Sequence, residues 1–115
     1  EDINPDDYDV LLVPGGWAPD KLRRYDSVLN IVKAMDQDKK VIGQICHAGW
    51  VLISADIVRD VTMTSTPALI DDLKNAGATW IDEPVVKSGH IISSRRPSDL
   101  PQYMETIIEA VVKDL

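Results

Sequence analysis

Apolar residues are arranged along this chain in two rhythms: short unbroken runs, and stripes spaced three and four apart. The runs predict strands and the stripes predict helices. The first run, Val10-Leu11-Leu12-Val13, closes on Pro14-Gly15-Gly16, so residues 8–13 read as a parallel strand buried on both faces. Val28, Ile31, Val32 and Met35 then recur at helical spacing and place one buried stripe on a helix over 26–37. Residues 40–45 form the second strand and lead into a short helix over 47–55, and 61–64 read as a third strand. Thr66-Pro67 caps and opens a helix that runs to residue 76, with Gly77 just past its end. Val85-Val86-Lys87 and Ile91-Ile92-Ser93-Ser94 flank Ser88-Gly89-His90 as a hairpin. Ser98 is placed to cap the last helix, whose apolar face is Leu100, Met104, Ile107, Ile108, Val111 and Leu115.

This alternation of strand and helix, without repeats or low-complexity segments, defines an α/β fold. Two strands joined by one helix are expected to lie parallel through a right-handed crossover. The loops after them, at Gly15-Gly16 and at Cys46-His47, then leave the same edge of the sheet. That edge, at the carboxyl ends of the strands, is where open α/β sheets bind ligands.

The chemistry follows from that placement. Cys46, the one cysteine of the chain, stands where the buried run stops and the next helix begins. Backbone N–H groups at a helix start favour thiolate over thiol, and the thiolate is the nucleophile. The strand–turn–helix arrangement is also the one that presents a nucleophilic serine in hydrolases. His47 follows directly as local base or ion-pair partner. A small buried residue filling a gap is the structural alternative for Cys46. Gly15 and Gly16 can bring bare backbone N–H groups close to a developing oxyanion, although a tight turn at a strand end needs the same residues.

Composition narrows the partners. The chain has 115 residues, read as one domain over 1–115, and carries a net charge of −7. Arg23-Arg24, Lys39-Lys40 and Arg95-Arg96 are isolated pairs, read as solvated surface, so no nucleic-acid partner is expected. One cysteine with two histidines argues against a structural metal site, and no internal disulfide can form. No G-x-G-x-x-G or Walker loop is present, so no organic cofactor is expected. The acidic start Glu1-Asp2-Ile3-Asn4-Pro5-Asp6-Asp7 does not resemble a targeting peptide and no run is long enough to span a bilayer. The expectation is a cytoplasmic, membrane-free protein.

Several segments in order match a known family: Asp9-Val10-Leu11-Leu12-Val13-Pro14-Gly15-Gly16, Ile45-Cys46-His47, Leu52-Ile53-Ser54-Ala55, Asp71-Asp72-Leu73-Lys74-Asn75-Ala76-Gly77-Ala78, Asp82-Glu83, and Ser94-Arg95 with Asp99-Leu100. The chain resembles the DJ-1/PfpI (ThiJ) family of class I glutamine-amidotransferase-like proteins, in particular its PfpI-type members. The resemblance implies a flavodoxin-like sandwich with a mostly parallel sheet. It makes Cys46 the reactive cysteine, His47 its partner, and the backbone N–H groups of Gly16 and His47 the oxyanion donors. In PfpI-type members a glutamate from a neighbouring subunit orients the histidine, and Asp26 falls at the matching position, one methylene shorter. Asp26 also opens the helix over 26–37, so an N-cap is its structural alternative. Trp17 and Trp50 are expected to line the pocket, with core packing as the alternative.

Family members usually carry a preceding segment with further strands and a glutamate that hydrogen-bonds the cysteine. This sequence begins where that segment would end, which leaves a fragment or strands supplied by another chain as the alternatives. Either way the sheet is expected to expose an unpaired edge, which favours a homo-oligomer, a dimer or hexamer as in the family, with the site near an interface. The expected function is that of a cysteine-dependent hydrolase. Its substrate would be a peptide, or a small aldehyde handled as by a glyoxalase or deglycase. The alternatives are a non-enzymatic redox sensor or chaperone-like stress protein using Cys46, and an inactive chain.

Overall fold

A computed structural model describes residues 3–114 and centres on a four-stranded sheet in the order β1-β2-β6-β5. Here β1 is Val10–Val13, β2 is Val41–Ile45, β5 is Val85–Ser88 and β6 is Ile91–Ser94. β1, β2 and β6 run parallel, and β5 joins β6 as the antiparallel arm of a hairpin. The helices are α1 (Ala18–Leu22), α2 (Asp26–Gln37), α3 (Gly49–Ser54), α4 (Ile70–Asn75) and α5 (Leu100–Asp114). A second, two-stranded parallel sheet pairs β3 (Thr62–Met63) with β4 (Thr79–Trp80).

β2 is central, and its alternation divides the core in two. Ile42 joins Val32 and Met35 of α2, Val51 and Leu52 of α3 and Leu73 of α4 on one face. Val41 joins Ile92 of β6 and Tyr103, Ile107 and Ala110 of α5 on the other. The stripe read on α2 is therefore the buried one, and the alternation of strands and helices is as expected.

Several expectations are corrected. β1 is not buried on both faces: it has β2 as its single neighbour among the described residues, and Leu12 is 47% exposed at that edge. The stretch over 61–64 does form a strand, but it pairs with β4 outside the main sheet. The helix expected over 47–55 is a 3-10 turn, Cys46–Ala48, followed by α3. Thr66 likewise precedes a 3-10 turn, Pro67–Leu69, that leads into α4, and its side chain makes no capping bond.

Ser98 does not cap the last helix, because it lies inside a 3-10 turn, Pro97–Asp99, and α5 starts at Leu100. The apolar face of α5 is also rotated from the expected one. Tyr103, Ile107 and Ala110 are buried, whereas Leu100, Met104 and Ile108 are exposed; Leu115 lies outside the described residues. Small and aromatic residues, Ala110 and Tyr103, carry the contact that the aliphatic spacing had assigned to their neighbours. α1, β4 and the turn Pro5–Asp7 have too few residues to show a period, so the pattern does not predict them.

Candidate active site

The parallel pairing brings the ends of β1, β2 and β6 to one edge. Val13 is level with Gln44, and Ile45 with Ser94, so the Gly15-Gly16 loop, Cys46 and Arg95 all leave the sheet there. Cys46 adopts a left-handed backbone, φ +62°, which side chains other than glycine and asparagine rarely take. Such a conformation persists only where surrounding contacts hold it, and it turns the side chain out of the strand direction. Cys46 is half-buried and unbonded to another cysteine.

Its Sγ lies 3.2 Å from Nδ1 of His47. A neutral thiol can donate to that nitrogen, and an Nδ1–H can donate to the thiolate, so the pair can hold one proton at either end. Gly15 is pressed against the same cysteine: a Cβ added there would stand 3.1 Å from Cys46 Cβ and 3.3 Å from the Ile45 carbonyl oxygen. The close approach of this loop therefore needs a residue without a side chain. Gly16 has φ +71° and open space around its Cα.

Two tryptophans flank His47. The Trp17 ring stacks at 6.4 Å and 25°, and the Trp50 ring lies tilted at 5.1 Å. Trp17 is 81% exposed, so it forms a wall of the site open to solvent. Trp50 is fixed from behind, since its Nε1–H donates to Asp72 at 3.1 Å and the Arg23 guanidinium lies 5.7 Å over its ring. Arg23 is itself held by donating Nε–H to Ser54 Oγ at 2.9 Å.

The structure thus brings Cys46, His47, Gly15, Gly16, Trp17 and Trp50 to one place. Asp26 is not among them: it is exposed in the first turn of α2 and makes no hydrogen bond to His47 among the described residues. Nor does it cap the helix, because Tyr25 occupies the N-cap position and no side-chain capping bond forms.

The basic pairs are also not simply solvated. Besides Arg23, Arg95 at the same sheet edge is 18% exposed and bridges two carboxylates, Asp99 at 3.0 Å and Asp82 at 2.9 Å. Its hydrogen bonds hold the buried Asp99 carboxyl below the usual carboxylate range, against the opposing effect of burial. A carboxyl lowered in the folded state adds stability above its unfolded value, and that stability is lost as pH falls through its folded value. Arg95→Met is therefore expected to lower the urea midpoint at neutral pH. The gap to wild type should shrink as the pH falls below the ordinary Asp99 value of 3.8. A gap independent of pH would remove the carboxylate from the explanation.

Among the described residues no cluster of histidine, cysteine and acidic side chains could hold a metal ion. No helix among them is long and apolar enough to cross a membrane.

A strained cysteine beside a histidine and a glycine loop, at the carboxyl edge of a parallel sheet, is the arrangement of a nucleophile-elbow protein. The DJ-1/PfpI family model matches residues 1–110, and the chain belongs to that family. It is 41% identical over 109 residues to the deglycase TK1284 of Thermococcus kodakarensis, an alignment covering 95% of this chain and 66% of that protein. It is 38% identical over 109 residues to the deglycase PfpI of Pyrococcus furiosus, with the same coverage of each chain. The chain thus spans 66% of the length of these relatives.

Among solved structures, a two-domain DJ-1/ThiJ/PfpI-like and ferritin-like protein of Anabaena variabilis superposes with a TM-score of 0.94 at 34% identity, covering 96% of this chain and 32% of that one. Drosophila melanogaster DJ-1beta gives 0.86 at 26% identity, covering 93% of this chain and 59% of that one. The flavodoxin-like sandwich implied by the sequence is the architecture found.

Proposed function

We propose that this chain carries the nucleophilic centre of a cysteine-dependent deglycase or glyoxalase acting on small dicarbonyls or their adducts. The observation that carries the proposal is the 3.2 Å contact between Cys46 Sγ and His47 Nδ1 at a left-handed elbow. The relatives TK1284 and PfpI are named deglycases, which supports the choice of aldehyde over peptide.

In this reading the Cys46 thiolate adds to the aldehyde carbon of a ketoaldehyde, and the carbonyl oxygen becomes an alkoxide. The N–H groups of Gly16 and His47 stabilise that oxygen until it gains a proton. His47 then removes the proton from the former aldehyde carbon and returns it to the adjacent carbon, while the hemithioacetal hydroxyl proton passes to the former ketone oxygen; together these transfers convert the hemithioacetal to a thioester. Water hydrolyses the thioester to a 2-hydroxy acid and frees the thiol. Carbon changes oxidation state within the substrate, so no external oxidant or reductant is needed. Trp17 and Trp50 form apolar walls that hold the small substrate against His47. Asp26 enters only if a second copy brings it to His47, which makes a homo-oligomer part of the proposal.

Incubating the protein with methylglyoxal and following the dicarbonyl and lactate by NMR tests the reading. Catalytic conversion to lactate is expected. Absence of turnover, with peroxide adding two oxygens to Cys46 in the intact mass, would instead establish the sensor alternative. A relative named general stress protein 18, from Bacillus subtilis and 38% identical over 104 residues, keeps that alternative in view.

A further inference from the structure

Beneath the cysteine lies a polar device that neither the proton chemistry nor the pocket walls use. Gln44 and Ser93 are register partners on β2 and β6, and both are fully buried. Their side chains take hold of one residue from opposite sides. Gln44 Nε2 donates to the Thr64 carbonyl at 2.7 Å, and the Thr64 N–H donates to Ser93 Oγ at 2.9 Å. The chain then passes through Ser65, whose hydroxyl accepts from Trp80 Nε1 at 3.1 Å and donates to the Thr66 carbonyl at 2.8 Å. It ends at the Thr66 N–H, which donates to the carbonyl oxygen of Cys46 at 3.2 Å.

A buried glutamine is expensive in an otherwise apolar strand, and each bond that it makes must offset its desolvation. Here it closes a ring: from Gln44 along β2 to Cys46, across to Thr66, and back through residues 64–66 to the Gln44 side chain. The ring lies against the elbow itself, since Gln44 Oε1 would stand 3.3 Å from a Cβ placed on Gly49, the first residue of α3.

We propose that the strap over residues 64–66, fastened by Gln44 and Ser93, is a positioning element for the oxyanion site, acting through the Thr66 N–H. The physical step is the planarity of the Cys46–His47 peptide. The structure contains no cis bond among the described residues, so the Cys46 C=O and the His47 N–H point in opposite directions. Fixing the carbonyl toward Thr66 aims the His47 N–H the other way. It also opposes relaxation of Cys46 from φ +62°. This inference rests on the proposed function for its catalytic meaning, but the mechanical claim about Cys46 can be read without turnover.

Thr66→Pro isolates the contact. Thr66 has φ −58° and ψ 144°, values that proline adopts, so the substitution deletes the N–H and leaves the local path open. Thr66→Ala keeps the N–H and removes the side chain, which makes no capping bond. With both variants checked for folding by circular dichroism, two quantities are compared: the rate of Cys46 alkylation by iodoacetamide, and kcat against KM for methylglyoxal. Thr66→Pro is expected to change the alkylation rate and to lower kcat roughly tenfold or more with little change in KM, as a misaimed oxyanion donor should. Thr66→Ala should match wild type in both. Should Thr66→Pro not fold, Gln44→Met, which preserves shape and removes the clamp on Thr64, carries the same expectation. Equal alkylation rates in the folded variant and wild type would overturn the strap's role. Absence of turnover in the wild type, with the alkylation difference intact, would overturn the proposed function and leave the strap standing.

Discussion

Cys46→Ser is expected to remove turnover of methylglyoxal, by about 10³-fold or more, without loss of the fold. The substitution exchanges one atom at a half-buried site and leaves the Gly15 loop and the Thr66 contact in place. In the proposed mechanism what changes is the nucleophile. A thiol gives its proton to a neighbouring imidazole far more readily than a hydroxyl does, and the single histidine at 3.2 Å has no carboxylate behind it among the described residues. A hydroxyl there would stay protonated at neutral pH and add to the aldehyde slowly.

His47→Ala should cost less, about 10²-fold, because it removes the proposed proton carrier and leaves the sulfur. The two residues act as a unit, so the double variant should be little worse than Cys46→Ser alone. Turnover measured for the three variants under one set of conditions checks the series. A Cys46→Ser protein with wild-type turnover would move the chemistry elsewhere. Additive losses would mean that His47 acts on substrate independently of Cys46.

The elements that sequence patterning made visible are those long enough to repeat a period. α2 shows its stripe through Val28, Ile31, Val32 and Met35, and the strand over 41–45 shows a buried run that ends at Cys46. The same patterning cannot show where an edge lies, since the order of strands is a tertiary property. The apolar run of β1 therefore reads as buried, although Leu12 faces solvent.

At the site, Cys46 and His47 were legible because chain neighbours fix their separation, and the Gly15 loop because the crossover rule sends it to the same edge. Gln44 has no role assigned by the strand pattern, although a polar residue inside a buried run is itself a signal that a partner exists. Its partner Thr64 could not be found from spacing, because the two meet only when β3 is placed outside the main sheet. Arg95 reads as surface for a related reason: a charged pair looks solvated until the Asp82 and Asp99 carboxylates are brought to it.

The largest expected effect on stability falls at a residue with no polar role. Gly43 occupies the middle of β2, where a β-branched residue would normally suit the strand better. It faces α5, and a Cβ there would stand 2.5 Å from Tyr103 Oη and 2.9 Å from both Ile107 Cδ1 and Leu12 Cδ2. Leu12 is exposed and can swing away. Tyr103 and Ile107 are each 3% exposed and can yield only if α5 moves off the sheet. Gly43→Ala is accordingly expected to destabilise the fold by about 1–3 kcal/mol, read from the urea midpoint at constant m-value. The unfolded chain works against this, since alanine in place of glycine would by itself stabilise by about 0.4–1 kcal/mol. The outcome therefore measures how firmly α5 is seated. Adding Tyr103→Phe removes the nearest of the three atoms, so the pair should recover part of the loss in a double-mutant cycle. A Gly43→Ala protein as stable as wild type would show that α5 lifts freely. Close packing against Tyr103 would then not be the reason for a glycine at the centre of the sheet.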